Sequence, residues 1–243
     1  MSMSIITFPQ ALRSWRLARR HSQLDLALTA SVSQRHLSWL ESGKAMPSRQ
    51  MVLQLAEALD IPLRERNDLL QSAGFAPAYG NSTLDADALA PVHAALEMML
   101  AHHAPLPALV VDRDWRLLRF NTGISRLLQA CGLDQDALAR IGGDPVNVLR
   151  LTLHPDGLGP FIVNRDEVLS HLVERTQRER LLTRREEAWL AIADLVPASP
   201  AALPPPAGRL PVLPLELRVG DTCLSLFTTL TTFGTPQDVT TDE

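Results

Sequence analysis

The chain has 243 residues, 46% of them hydrophobic and 21% charged, with a net charge of −4. That is a globular composition, long enough for one medium domain and a small one, and its apolar runs are far too short for a membrane span. The opening "MSMSIITFPQALRSWRLARR" lacks a basic start followed by an apolar stretch and a cleavage site, so a cytoplasmic location is expected. Cys131 and Cys223 stand at no metal-ligand spacing, which suggests neither a disulfide framework nor a zinc site, and both are expected to be small core residues.

Charge divides the chain. Residues 1–79 carry nine Lys and Arg against six Asp and Glu, whereas the remainder carries 14 against 21. A basic small domain joined to an acidic larger one fits a part that meets a polyanion and a part that does not.

The first predicted helix places Leu12, Trp15, Leu17 and Ala18 near one face and Arg13, Arg16, Arg19 and Arg20 largely on the other. Ser22 is a candidate N-cap for "QLDLALTA", with Asp25 completing a capping-box pattern. Ser33 caps a third helix, in which Leu37 and Leu40 face inward while Gln34, Arg35, Ser38 and Trp39 point outward. Gly43 ends it, Ser48 caps a fourth helix carrying Val52, Leu55, Ala56 and Leu59, and Pro62 opens a fifth.

The run "SQLDLALTASVSQRHLSWLESGKAMPS" and the helix after it resemble the Cro/phage-repressor-like helix-turn-helix of the xenobiotic-response-element (XRE) type, over about Leu12 to Phe75. The resemblance implies a five-helix, all-α DNA-binding domain whose third helix lies in the major groove. Gln34 and Arg35 then fall on base-contacting positions, with His36, Ser38 and Trp39 on the same helix, while Gln23 and Lys44 match positions that clamp phosphate. Arg16 and Glu41 match a structural ion pair. Ser31 stands where the family's turn usually has Gly, so a left-handed backbone is expected there at some strain.

"APAYGNSTLDADALA" reads as a linker, and "LAPVHAALEMMLAHH" as an amphipathic helix with Val92, Leu96, Met99 and Leu100 on one stripe. His93, His102 and His103 on that helix lack a carboxylate or cysteine to complete a metal set, so no metal is expected. "PALVVDRDWRLLRFN" reads as two strands about a "DRD" turn, and Asn121 caps a helix with Ile124, Leu127, Leu128 and Cys131 on one face. Further on, "NVLRLTLHPDG" ends a helical turn at His154-Pro155, "NRDEVLSHLVERTQRERLL" is a helix burying Val168, Leu172 and Val173, and "REEAWLAIADL" is a last helix. The proline-rich "VPASPAALPPPAGRLPVLP" is a loop of extended character. "LPLELRV-GD-TCLSLF" is a hairpin about Gly220-Asp221, with Leu217 facing Leu224 and Leu215 facing Leu226. Strands early and late with helices between give an α+β, PAS-like layout.

"LVVDRDWRLLRFN", "NVLRLTLHPDG" and "FTTLTTFGTPQDVTTDE" resemble the ligand-binding region of MmyB-like transcription regulators, which carry an XRE-type helix-turn-helix before a PAS-like domain. The organisation expected is then 1–79 for the DNA-binding domain, 80–104 for a linker and connecting helix, and 105–243 for the ligand-binding domain. The resemblance implies a small apolar ligand, a fatty acid or acyl compound. Val110, Leu118, Leu215, Leu217, Leu224, Leu226 and Phe227 are candidate apolar lining, and Arg150, flanked by Asn147 and His154, is the candidate carboxylate anchor. The alternative for these residues is a filled core and a surface ion pair.

No G-x-S-x-G, G-x-G-x-x-G, P-loop or H-E-x-x-H occurs, so catalysis is not expected and no catalytic residue is assigned. Two hypotheses follow. A homodimeric regulator would bind a double-stranded operator with an inverted repeat and be governed by an apolar ligand, without a cofactor and without a membrane partner. An enzyme or lipid carrier with an appended helix-turn-helix head would bind DNA indifferently to sequence.

Overall fold

The computed structural model describes residues 7–82, 87–183, 185–197, 213–232, 236 and 238–242. They divide into two compact units, Met1–Thr83 with Thr232–Asp242, and Leu84–Thr231.

The first unit opens with five helices, α1 (Phe8–Ala18), α2 (Gln23–Thr29), α3 (Gln34–Glu41), α4 (Arg49–Ala58) and α5 (Leu63–Ser72). The hydroxyls of Ser22, Ser33 and Ser48 accept hydrogen bonds from the amides of Asp25, His36 and Met51, which start α2, α3 and α4 where the sequence places them. Each such cap contributes ~1 kcal/mol. Asp25 accepts the Ser22 amide at 2.9 Å, completing the capping box. One core joins all five helices through Leu12, Leu26, Leu37, Leu40, Leu55 and Leu70 among others. Leu17 departs from the expected stripe. The buried apolar positions of α1 are Phe8, Leu12 and Trp15, and Leu17, about 200° around the helix from Trp15, is exposed.

The second unit is α+β: α6 (Ala90–His103), β1 (Leu109–Val111), β2 (Leu117–Phe120), α7 (Thr122–Ala130), α8 (Gln135–Gly142), α9 (Val148–Leu153), α10 (Arg165–Thr183), α11 (Glu187–Leu190), β3 (Pro214–Val219) and β4 (Thr222–Phe227). Among the described residues the strands form two separate antiparallel hairpins, β1-β2 and β3-β4. The β3-β4 register matches expectation, with Leu217 opposite Leu224 and Leu215 opposite Leu226. The predicted "REEAWLAIADL" helix is shorter than read, a four-residue helix followed by a 3-10 turn at Ala193–Leu195. Over residues 198–212 the proline-rich loop lies outside the described residues.

Buried Asn121 does more than cap α7. Its Oδ1 accepts the amides of Ala108 and Ile124, and its Nδ2 donates to the carbonyls of Leu100 and Leu106, so one side chain joins α6, the loop before β1 and α7. Gly123 is required beside it, because a Cβ there would stand 2.6 Å from the Leu106 carbonyl oxygen. α6 is less amphipathic than expected. Only Leu100 is buried along it, while Met98 and Met99 are exposed.

The chain then returns to the first unit as α12 (Val239–Asp242), with Val239 buried. The segment read as the start of a linker is docked there too. Asn67 of α5 accepts the amides of Ala78 and Tyr79 and donates to the Tyr79 carbonyl, and Gly80 pairs with Asp238.

Candidate functional site

The start of α3 is built to present side chains outward. Leu37 and Leu40 are fully buried, which fixes the rotation of the helix and leaves Gln34, Arg35 and Trp39 exposed, with His36 and Ser38 half-buried between. Arg16 of α1 locks that rotation from behind. Its Nε and Nη2 donate to the two oxygens of Glu41 at 2.6 and 2.9 Å, the ion pair the sequence predicts. Burial alone would raise the Glu41 carboxyl, but hydrogen bonds from Arg16 and Gln23 outweigh it and hold the group below the usual carboxylate range.

The Arg35 guanidinium lies over the Trp39 ring, 4.5 Å from its centroid. Trp39 therefore stacks under the neighbouring cation and keeps it extended along the helix face. Lys44 is exposed just beyond α3, its amide donating to the Trp39 carbonyl at 2.8 Å. Gln23 sits at the first turn of α2, half-buried, with its Nε2 donating to Glu41 at 2.8 Å, so its carboxamide braces the ion pair as well as standing at a helix start. Ser31 adopts φ +52° in the turn between α2 and α3, the left-handed geometry expected of it.

In the second unit the structure separates the predicted ligand residues. Leu217 is fully buried, with Leu215, Leu224 and Leu226 packed around it against α9 and α10, so the inner face of the β3-β4 hairpin is filled core. Phe227 is exposed at the strand end, and Val110 and Leu118 belong to the other hairpin. Arg150, the candidate carboxylate anchor, stands in an ion pair, the alternative the sequence also offers. Its fork is occupied within the protein: Nη1 and Nη2 hold Asp194 at 2.7 and 3.0 Å, Nη1 also reaches the Ala191 carbonyl, and Nε donates to the Ile141 carbonyl. Asn147 caps α9 by accepting the Arg150 amide, and His154 Nδ1 accepts the Asp156 amide. All three brace the fold.

An apolar concavity opens elsewhere. A groove of about 720 Å³ lies between β2 and the α7–α8 pair, walled by Leu117, Phe120, Leu128, Leu133, Leu138 and Val146. Ser125, Gln129 and Gln135 supply neutral hydrogen-bonding groups, and Asp134 and Asp144 stand in its lining. Leu128 is legible in sequence as a helix-face residue, but nothing in its spacing marks the groove. Asp114 in the β1-β2 turn is pushed up to about 6 by burial and by Asp112 and Glu187, against the fork of Arg185 at 2.8 Å. Among the described residues no cluster of three or more His, Cys, Asp or Glu could hold a metal ion, and no helix is long and apolar enough to cross a membrane. Cys131 is buried, whereas Cys223, expected inside, is exposed on β4.

Comparison with known families gives two matches. The model of the MmyB-like transcription regulator ligand binding domain matches residues 92–242, and the helix-turn-helix model matches residues 12–66. No curated protein matches the chain.

Proposed function

The chain belongs to the MmyB-like transcription regulator family, and from that premise we propose that it is a cytoplasmic homodimer that reads an inverted-repeat operator under the control of a small apolar ligand. It is a DNA-binding transcription regulator with a ligand-sensing domain; the refinements are our reading. The carrying observation is the exposed Gln34–Arg35–Trp39 face of α3, braced from behind by Arg16 and Glu41. Gln suits adenine and Arg suits guanine, at ~1–3 kcal/mol of discrimination each.

Dimerisation is supported by the reach of one recognition helix, which covers too few base pairs for genomic specificity; paired helices sit ~34 Å apart on DNA. α6 is the surface we assign to the second copy, since Met98 and Met99 are exposed on it. A monomeric mass at micromolar concentration, unchanged by a duplex recovered from a randomised pool, would overturn the dimer. Recovery of a palindromic site by that selection supports it, and recovery of no preferred sequence would favour the carrier reading.

The ligand site we propose is the α7–α8 groove. Each buried CH₂ of an acyl chain contributes ~0.8 kcal/mol there, and Ser125, Gln129 and Gln135 beside the carboxylates of Asp134 and Asp144 suit a neutral hydroxyl or amide head better than a carboxylate. We also propose that the second unit is PAS-like and that the protein is not an enzyme. Denaturing extraction followed by mass spectrometry tests the ligand site, together with thermal shifts across C12–C18 fatty acids and their methyl esters. No recovered lipid and no shift, or a shift equally strong in Leu128→Trp, would overturn the assignment.

A further inference from the structure

The α7–α8 groove has apolar walls and, among the described residues that line it, no Lys, Arg or His. Its charged lining there is Asp134 and Asp144, one at each end of α8 and ~12 Å apart by the rise of eight residues. The two carboxylates differ. Asp134 caps the helix, its Oδ1 accepting the Ala137 amide at 2.8 Å, and stands at the positive end of the α8 dipole. Asp144 follows the last turn, beyond Gly143 at φ +86°; it is exposed, and no described residue donates to its carboxylate. Its charge adds to the negative end of the same dipole. The groove is therefore most negative where α8 ends, beside the apolar Val146, whose carbonyl accepts the Leu117 amide of β2 at 2.8 Å. Neighbouring cations are turned elsewhere. Arg126 on α7 and Arg140 on α8 lie about 110° and about 145° around their helices from the stripes that line the groove. Arg119 of β2 pairs with Glu97 of α6 at 3.9 Å, and Arg116 acts on Asp114 of the β1-β2 turn.

We infer that the ligand of this groove is a cationic amphiphile, a long-chain amine in its ammonium form, with its nitrogen at Asp144 and its chain laid over Leu138, Leu133 and Leu128. The inference rests on the groove's being the ligand site. An ammonium brings three donors and a positive charge to an end that offers a carboxylate and, among the described lining, no competing cation. A fatty acid brings one more carboxylate to the same place, where like charge and loss of water both disfavour it. A neutral head escapes that repulsion but gains only a hydrogen bond. Because Asp144 stays in contact with water, the gain from charge is that of an exposed pair, about fivefold in affinity at low salt.

Isothermal titration of the full-length chain with dodecylammonium, dodecanol and dodecanoate, at concentrations where each is monomeric, separates the head from the chain. The ammonium should bind about fivefold tighter than the alcohol, and dodecanoate should bind weakest. Asp144→Asn should bring the ammonium down to the affinity of the alcohol and leave the alcohol unchanged, whereas Asp144→Lys should place dodecanoate first. Added salt should shrink the ammonium's advantage in the native chain and have no advantage to shrink in Asp144→Asn. Equal binding of ammonium and alcohol, or an ammonium preference that survives Asp144→Asn, would overturn this inference; loss of both ligands in Leu128→Trp would show that the groove is still the ligand site. If none of the three binds, or Leu128→Trp changes none of them, the groove is not that site and both readings fall. Asp144 is exposed, so its variants decide the charge question even where Leu128→Trp does not fold.

Discussion

The Arg35 guanidinium stacks on the Trp39 ring one turn along α3, so the cation most suited to reading guanine is ordered before any DNA arrives. Arg35→Ala should weaken binding to the preferred duplex and relax base preference. Trp39→Ala should erode the same preference by a smaller factor, since the guanidinium remains but is no longer held. Lys44→Ala should weaken all sequences alike and lower the salt slope by about one unit. Affinities over a panel of single-base variants at three salt concentrations separate the cases; uniform losses from Arg35→Ala and Lys44→Ala alike would mean α3 is docked wrongly.

Arg16 and Glu41 are almost completely buried, with side chains 9% and 4% exposed. Removing one partner leaves a buried charge, so Arg16→Ala should cost the DNA-binding unit ~3–5 kcal/mol. The pH dependence has a definite sign. Because the folded Glu41 carboxyl lies below its ordinary 4.5, the pair's contribution is present above that value and is lost as pH falls through the lower folded value. Denaturant titrations between pH 6 and 3, followed by tryptophan fluorescence, should show a steeper acid loss for the native chain than for Glu41→Gln.

Asn121 satisfies two amides and two carbonyls from three parts of the second unit. Asn121→Ala should destabilise that unit by ~2–4 kcal/mol, since each stranded buried group costs ~1–3. Asn121→Asp keeps the acceptor and sets a negative charge against the Leu100 and Leu106 carbonyls, so it should not rescue the loss. Calorimetric melting of the three proteins reads the difference, and a native-like melt for the aspartate variant would refute this account.

Ser31 holds φ +52° at an exposed turn, a conformation that glycine adopts without penalty. Ser31→Gly should therefore stabilise the DNA-binding unit by ~0.5–1 kcal/mol. A midpoint that falls on this substitution would show that the serine side chain contributes more than its backbone strain removes.

What the sequence makes legible is what short-range rules control. Ser22, Ser33, Ser48 and Asn121 announce helix starts because a cap acts within three residues, and Gly220-Asp221 sets the hairpin register because side chains alternate along a strand. The helix-turn-helix is legible because its whole spacing is local. Arg150 is the counter-example. Its residue type suits a ligand carboxylate, but its partner Asp194 lies 44 residues away, and no local spacing pairs the two. The groove escapes for a similar reason: Leu117, Leu128 and Val146 look like ordinary core, and only tertiary placement leaves a concavity between them. Asn67 and Asp242 likewise reveal their partners only when the backbone has folded.

A DNA-binding unit that takes its last element from residues 238–242 cannot be completed in the order in which it is synthesised. On the ribosome the five helices emerge first with the Leu63 amide uncapped, and the whole ligand-binding unit must follow before Asp242 exists to meet it. Contacts so distant in sequence also close late in folding, because the entropy of closing so long a loop must be offset before they contribute. The cap on the first turn of α5 is thus added only after the sensing half of the polypeptide has been made.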